Sequence, residues 1–321
     1  MITLHEPYPA LGKAIGFPAL YFKREDTHPY GSHKGRSIPV MIDYHRESGK
    51  DRFAITGSGN AALAAALHVQ KLDSDGGVRS AVEGPLELDI FVGQHAAKHK
   101  TDKLKKLAQE SGGRIRLSVK ERPLQALMQA VQEGAQSLRQ STDDTALLGY
   151  KELAEELNEI VGLGAVFIGA SSGTTAQALA QFFASSPEHR EARVSQTIPP
   201  TKAVKKGLAK QVQVHIVQTS SCHPMSDAFE GYDGPDEQSI ADAIIDKTAV
   251  RKPALVPLIE RSGGHGWTVS NDDIAAAQEL AKKHTGLSIS TNSALSVAGA
   301  MQAAYRGWEI DGAVVCILGG D

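Results

Sequence analysis

A chain of 321 residues, 41% apolar and 22% charged, is long enough for two α/β domains and has the make-up of an ordinary globular enzyme. Its formal net charge of -3 and 5% aromatic content argue against nucleic-acid and anionic-membrane partners. Two distant cysteines, Cys222 and Cys316, make neither a disulfide framework nor a thiolate metal site, and no apolar run approaches the ~20 residues of a membrane span.

Apolar runs alternate with amphipathic segments, which predicts an α/β fold with mostly parallel sheets and helices on both faces. The first run, Ala19–Phe22, leads into Gly31-Ser32-His33-Lys34 and a helix over Ser37–Glu47. Lys34 therefore sits behind a glycine turn at a helix start, where the partial positive charge of the N-terminus is unfavourable to an ammonium. An uncharged lysine amine is a nucleophile able to form a Schiff base with a carbonyl. A surface lysine is the simpler reading of this fragment by itself.

The strand Phe53–Thr56 runs through Gly57-Ser58-Gly59-Asn60-Ala61-Ala62 into an alanine-rich helix, Ala61–Lys71. Glycines allow close backbone approach, and Ser58 and Asn60 add donors suited to a carboxylate. Next come a loop over Asp73–Glu87, strands Leu88–Val92 and Arg114–Val119, and helices Ala97–Ser111, Pro123–Leu138 and Gly149–Val161. His95 and His99 have metal-compatible i,i+4 spacing, but Lys98, Lys100 and Lys103 around them repel a cation, so no metal is expected.

Strand Ala165–Ile168 enters Gly169-Ala-Ser-Ser-Gly-Thr-Thr175, with a helix over Thr175–Ser185 behind it. Small residues and hydroxyls at a helix start form an anion nest for a phosphate monoester. The loop lacks the lysine of a nucleoside-triphosphate loop and the Gly-x-Gly-x-x-Gly of a dinucleotide site. A protruding segment, Ser185–Lys210, carries the basic run Lys202, Lys205, Lys206 and Lys210. Strand Val212–Gln218, helices Asp236–Ile245, Asn271–His284 and Ser293–Tyr305, and strand Ala313–Leu318 complete the chain; Cys316 is expected to be buried in the last strand.

An amine nucleophile, a carboxylate cradle and a phosphate nest, each at a strand-to-helix turn, together describe a pyridoxal phosphate enzyme acting on an amino acid. The order and spacing of these loops resemble the fold-type II pyridoxal-phosphate enzymes, the tryptophan synthase β-like superfamily, from about Glu6 to Gly320. Leu148–Glu156, Val217–Cys222 and Ser262–Ser270 are similar to further family segments. The resemblance implies a two-domain enzyme, with 48–147 a smaller substrate-side domain and 1–47 plus 148–321 a larger cofactor-binding one. It implies that Lys34 holds the cofactor and removes the α-proton. Asn60 would bond the cofactor's ring oxygen, Ser58, Gly59, Asn60 and Ala61 the substrate carboxylate, and Ser171, Ser172, Gly173, Thr174 and Thr175 the phosphate.

The substrate loop is most similar to threonine synthase, which implies a lyase of amino-acid biosynthesis working by α,β- or β,γ-elimination or replacement. Ser32-His33-Lys34 is closer to the tryptophan synthase β chain, but Ile55 stands where that chain has its glutamate. Serine/threonine ammonia-lyase or cysteine-synthase-like chemistry is the alternative reading, and a catalytically impaired homologue is a third. Two departures motivate the third: Ser290 replaces a common glutamate, and Gly319 replaces the Ser or Thr beside the cofactor's pyridine nitrogen. Asp321 is a candidate substitute there, and Arg36 and Lys151 are candidates for a second anion site. The expected partners are a small amino-acid substrate and, by the resemblance, a second copy of the chain. A cytoplasmic location is expected.

Overall fold

The computed structural model describes residues 2–57, 59–74, 85–94, 96, 98–185, 211–235 and 237–320. Ser58, His95, Asp321 and most of the expected loops Asp73–Glu87 and Ser185–Lys210 lie outside them. The chain divides into two compact units, Met1–Arg24 with Lys151–Leu318, and Glu25–Tyr150 with Gly319–Asp321. The helix carrying Lys34 thus belongs to the smaller unit.

The larger unit contains strands β1 (His5–Pro7) and β2 (Leu20–Lys23). The smaller unit holds β3 (Arg52–Thr56), β4 (Glu87–Gly93), β5 (Ile115–Lys120) and β6 (Gln136–Ser137). The chain then returns to the larger unit with β7 (Leu163–Gly169), β8 (Gln213–Thr219), β9 (Gly266–Val269) and β10 (Ala313–Ile317). The larger sheet has the order β1-β2-β10-β7-β8-β9 and is parallel except for β1. The smaller, β5-β4-β3-β6, is wholly parallel. A parallel sheet needs cover on both faces, so its central strands read as continuous apolar runs. All five residues of β10, Cys316 included, are buried accordingly, and burial pushes the Cys316 thiol far above its ordinary range.

The helix Thr291–Tyr305 packs on the larger sheet through small residues. A Cβ on Gly299 would meet a Val217 methyl at 2.3 Å, and Ala294, Ala298, Ala300 and Ala303 are buried beside it. Ser290, the departure noted above, is this helix's N-cap, its hydroxyl accepting from Ser293 N–H.

All seven expected strands form, and two expected helices change. Pro123–Leu138 ends at Gln132, because Gly134 (φ +100°) closes it with Gly134 N–H to Val131 and Ala135 N–H to Ala130. The chain then enters β6. Asp236–Ile245 forms no helix among its described residues, because side chains take its backbone amides. Ile240 N–H donates to Asn271, Ala243 N–H to Asn292, and Ile245 and Asp246 N–H to Ser171. A helix Lys252–Ser262, strands β1, β6 and β9, and short helices at Pro9–Ile15 and Thr145–Leu148 were not expected.

The larger core contains a histidine fixed in one uncharged form. Trp267 Nε1–H donates to His215 Nδ1 (3.2 Å), His215 Nε2–H donates to Gln213 Oε1 (3.0 Å), and the ring stacks on Phe167 at 4.2 Å. Burial, helped by the nearby His265, lowers its pKa to about 3. Below the ordinary value of 6.5 the unfolded chain takes up a proton that the folded one refuses, so stability falls as pH drops from about 6.5 towards about 3. His215→Phe is expected to flatten the pH dependence of the urea midpoint over that window, whatever its effect at neutral pH.

Candidate active site

In the smaller unit, the turn before Lys34 is built from short hydrogen bonds. Gly31 (φ +77°) N–H donates to His28 O at 2.6 Å, and Gly35 N–H to Ser32 O at 3.0 Å. The buried Ser32 hydroxyl accepts from Lys34 N–H at 3.3 Å. Lys34 is the first residue of the helix Lys34–Glu47 and is half-buried. A Cβ on Gly35 would lie 2.4 Å from the His28 ring, so glycine is required where the helix leaves the turn.

The C-terminal glycines complete this turn. Gly320 forms an antiparallel bridge with Ser32, and Gly319 O accepts from both His33 N–H (3.2 Å) and His33 Nδ1–H (2.8 Å). A carbonyl only accepts, so Nδ1 carries the hydrogen. Desolvation first, then the charges of Lys34 and His28, lower the His33 pKa to about 3 against the opposing Gly319 bond. The ring is therefore neutral, with Nε2 an acceptor. A Cβ on residue 319 would stand 2.8 Å from His33 Nδ1. The missing Ser or Thr side chain thus has a steric reason: the His33 ring fills its place.

The second loop, also in this unit, follows β3. Gly57 (φ +98°) donates to Phe91 O at 2.9 Å, and Asn60 opens the helix Asn60–Ser74. Among the described residues no neighbour comes within 4 Å of a Cβ built on Gly57 or Gly59, which leaves the backbone open to approach by a ligand. Asn60 and Ala61 are half-buried, and Ser58 is outside the described residues.

In the larger unit, Ala170–Gly173 links β7 to the helix Thr174–Ser185. Gly173 has φ +73°, and a Cβ there would meet Leu255 at 2.6 Å and Met225 Sδ at 2.9 Å. Among the described residues, no carbonyl accepts from the N–H groups of Ser171, Ser172 or Gly173. The Ser172 and Thr174 hydroxyls bond each other at 2.9 Å, and Thr174 and Thr175 are buried. Unpaired amides, hydroxyls and a helix N-terminus make a binding place for a dianion.

Each unit therefore brings part of the expected site together: the Lys34 turn with Gly319, and the loop Ser171–Thr175. The two candidates for a second anion site each have an acidic neighbour. Arg36 is buried in a two-bonded pair with Glu25 (3.0 and 2.9 Å), and Lys151 is exposed beside Glu155 at 3.8 Å. Sequence reasoning missed Gln218 and Arg251, both buried. Gln218 Nε2 donates to Ala170 O (3.0 Å) while its Oε1 accepts from Met225 and Ser226 N–H. Arg251 Nε donates to Thr174 Oγ1 at 3.1 Å. Gln218 lies within the family-like segment Val217–Cys222, but its contact with Ala170, like that of Arg251 with Thr174, joins stretches distant in sequence. Among the described residues no cluster of three or more potential metal ligands occurs, and no helix is long and apolar enough to cross a membrane.

Comparison with known proteins gives these loops a common meaning. No curated protein matches. Among solved structures, a pyridoxal 5'-phosphate-dependent aspartate racemase aligns at 19% identity and TM-score 0.74, over 100% of this chain and 90% of its own. Threonine deaminase isoform 2 from Solanum lycopersicum aligns at 20% and 0.73, over 99% and 83%. Serine racemase from Dictyostelium discoideum aligns at 16% and 0.69, over 99% and 92%. Identities this low show a shared fold, that of the fold-type II enzymes. The family model described as pyridoxal-phosphate dependent enzyme matches residues 3–320, and the chain belongs to that family.

Proposed function

We propose that this protein holds pyridoxal phosphate through Lys34 and eliminates or replaces a β- or γ-substituent of a small amino acid, a lyase-type reaction. The observation that carries the reading is the loop Ser171–Thr174: among the described residues no carbonyl accepts from the Ser171, Ser172 or Gly173 N–H groups, and with the clustered hydroxyls they fit the cofactor's phosphate. Bound pyridoxal phosphate supplies an electron sink for charge developing at the α-carbon. The protein's own part is to position and to move protons. Lys34 Nζ would hold the cofactor through its aldehyde carbon, and the Lys34 amine would serve as general base toward the α-proton. The loop Gly57, Ser58, Gly59, Asn60 and Ala61 would receive the substrate carboxylate, and Asn60 would donate to the cofactor's ring oxygen. Neutral His33, filling the space beside Gly319, presents an acceptor nitrogen at the same turn.

Within this class, threonine-synthase-like chemistry on O-phosphohomoserine requires a second phosphate site. Arg36 is committed to Glu25 and Lys151 is exposed beside Glu155, which supports the other reading, loss of hydroxyl from serine or threonine with release of ammonia. The holoenzyme should therefore release keto acid and ammonia from serine or threonine faster than phosphate from O-phosphohomoserine. Faster phosphate release would reverse the order of the two readings. Enantiomer analysis of recovered amino acid reports racemisation separately.

The purified holoenzyme should show a visible absorption band that borohydride abolishes, and Lys34→Ala should lack it. A band that persists in Lys34→Ala would place the attachment at another lysine.

A further inference from the structure

One helix of the smaller unit carries an apolar stripe that its own sheet does not use. The helix Pro123–Gln132 packs on β3 and β4 through Leu127 and Ala130, buried with Ala54 and Ala135 against Phe91. Beside that buried face, at i, i+4 and i+7, stand Leu124, Met128 and Val131, which share one stripe of the helix. They are 45%, 59% and 41% exposed. Single exposed apolar residues are ordinary, but three on one stripe form a patch.

The charges around the stripe are ordered. None of the residues from Pro123 to Gln132 is charged, and Gln125, Gln129 and Gln132 fill the far flank. Charge stands at the two ends, with exposed Arg122 at the N-cap and exposed Glu133 at the C-cap. Glu133 also lies 3.8 Å from Arg52, and Arg52 and Arg116 pair with Asp89 at 3.0 and 2.6 Å. A charge-free, methionine-bearing centre with a charged rim is the composition of a protein interface.

The arrangement is also its own complement. About the helix midpoint, between Leu127 and Met128, Leu124 mirrors Val131 and Arg122 mirrors Glu133. A second copy turned over on a two-fold axis through that midpoint would set apolar on apolar and, at both ends, cation on anion. Met128 of each copy would stand beside the axis, and the antiparallel helix dipoles would oppose favourably. A helix of another sequence has no reason to match this inverted order, whereas an identical one matches it by symmetry.

We propose that the stripe Leu124, Met128 and Val131 is a self-association face, on which two copies of this chain pair their helices Pro123–Gln132 antiparallel about a two-fold axis.

The test is the association state of the cofactor-loaded, full-length chain by analytical ultracentrifugation. The wild type should sediment as a concentration-dependent dimer. Met128→Glu sets two like charges beside the axis and should weaken the dimer by about a hundredfold or more, leaving the urea midpoint unchanged. Arg122→Glu and Glu133→Arg should each weaken it by about tenfold. An equimolar mixture of those two variants should recover the dimer, because the mixed pair alone restores opposite charges at both ends. The two positions lie roughly 16 Å apart along one helix, too far to compensate within one chain. Met128→Cys should form a disulfide-linked dimer under mild oxidation and Gln125→Cys should not, since Cys222 and Cys316 are buried. A wild type that stays monomeric overturns the proposal and leaves the stripe to a partner of different sequence. A dimer that Met128→Glu leaves intact overturns it by placing self-association on another face, and so does a mixture that recovers nothing. Should Met128→Glu lower the urea midpoint, the cysteine variants decide: cross-linking equal at both positions, or absent from both, overturns the pairing.

Discussion

The buried amide of Gln218 holds together two strand ends on which the phosphate loop depends. Parallel neighbours β7 and β8 finish at the same edge of their sheet, and each must turn its chain there with its polar groups satisfied. Gln218 does so for both, donating to Ala170 and accepting from Met225 and Ser226. Met225 in turn lies where a side chain on residue 173 would be. Glycine with its positive φ at 173 is what leaves room for Met225 beside the start of the helix Thr174–Ser185.

A similar exchange explains the departure at the chain's C-terminal glycines. Gly319 looks like a lost functional group when the sequence is compared with a family that places Ser or Thr there. In the structure His33 and a side chain at 319 compete for one volume, with Nδ1 only 2.8 Å from the missing Cβ. The imidazole also replaces polar character, since its Nδ1–H is spent on Gly319 O and its Nε2 remains an acceptor. The Ser32-His33-Lys34 sequence and Gly319 are therefore one feature split across nearly the whole chain.

What the sequence made legible was whatever depends on neighbours along the chain. Apolar runs marked all seven expected strands, and glycine and serine marked the turns carrying Lys34, Asn60 and Ser171. What it hid was long-range. The helix Lys252–Ser262 contains Pro253 and Pro257, which read locally as breaks, yet Leu255 and Ile259 bury one face and hold it. Helix expected over Asp236–Ile245 was lost to Ser171, Asn271 and Asn292, none of them within reach in sequence.

These last two outcomes are connected. An α-helix uses its backbone N–H groups internally, so a helical segment 239–250 would have no amide to offer Ser171. By remaining irregular it supplies two donors to the Ser171 hydroxyl, and the chain then reaches Arg251, whose Nε–H donates to Thr174 Oγ1. The amides that hold Ser171 in place are thus the ones withheld from a helix.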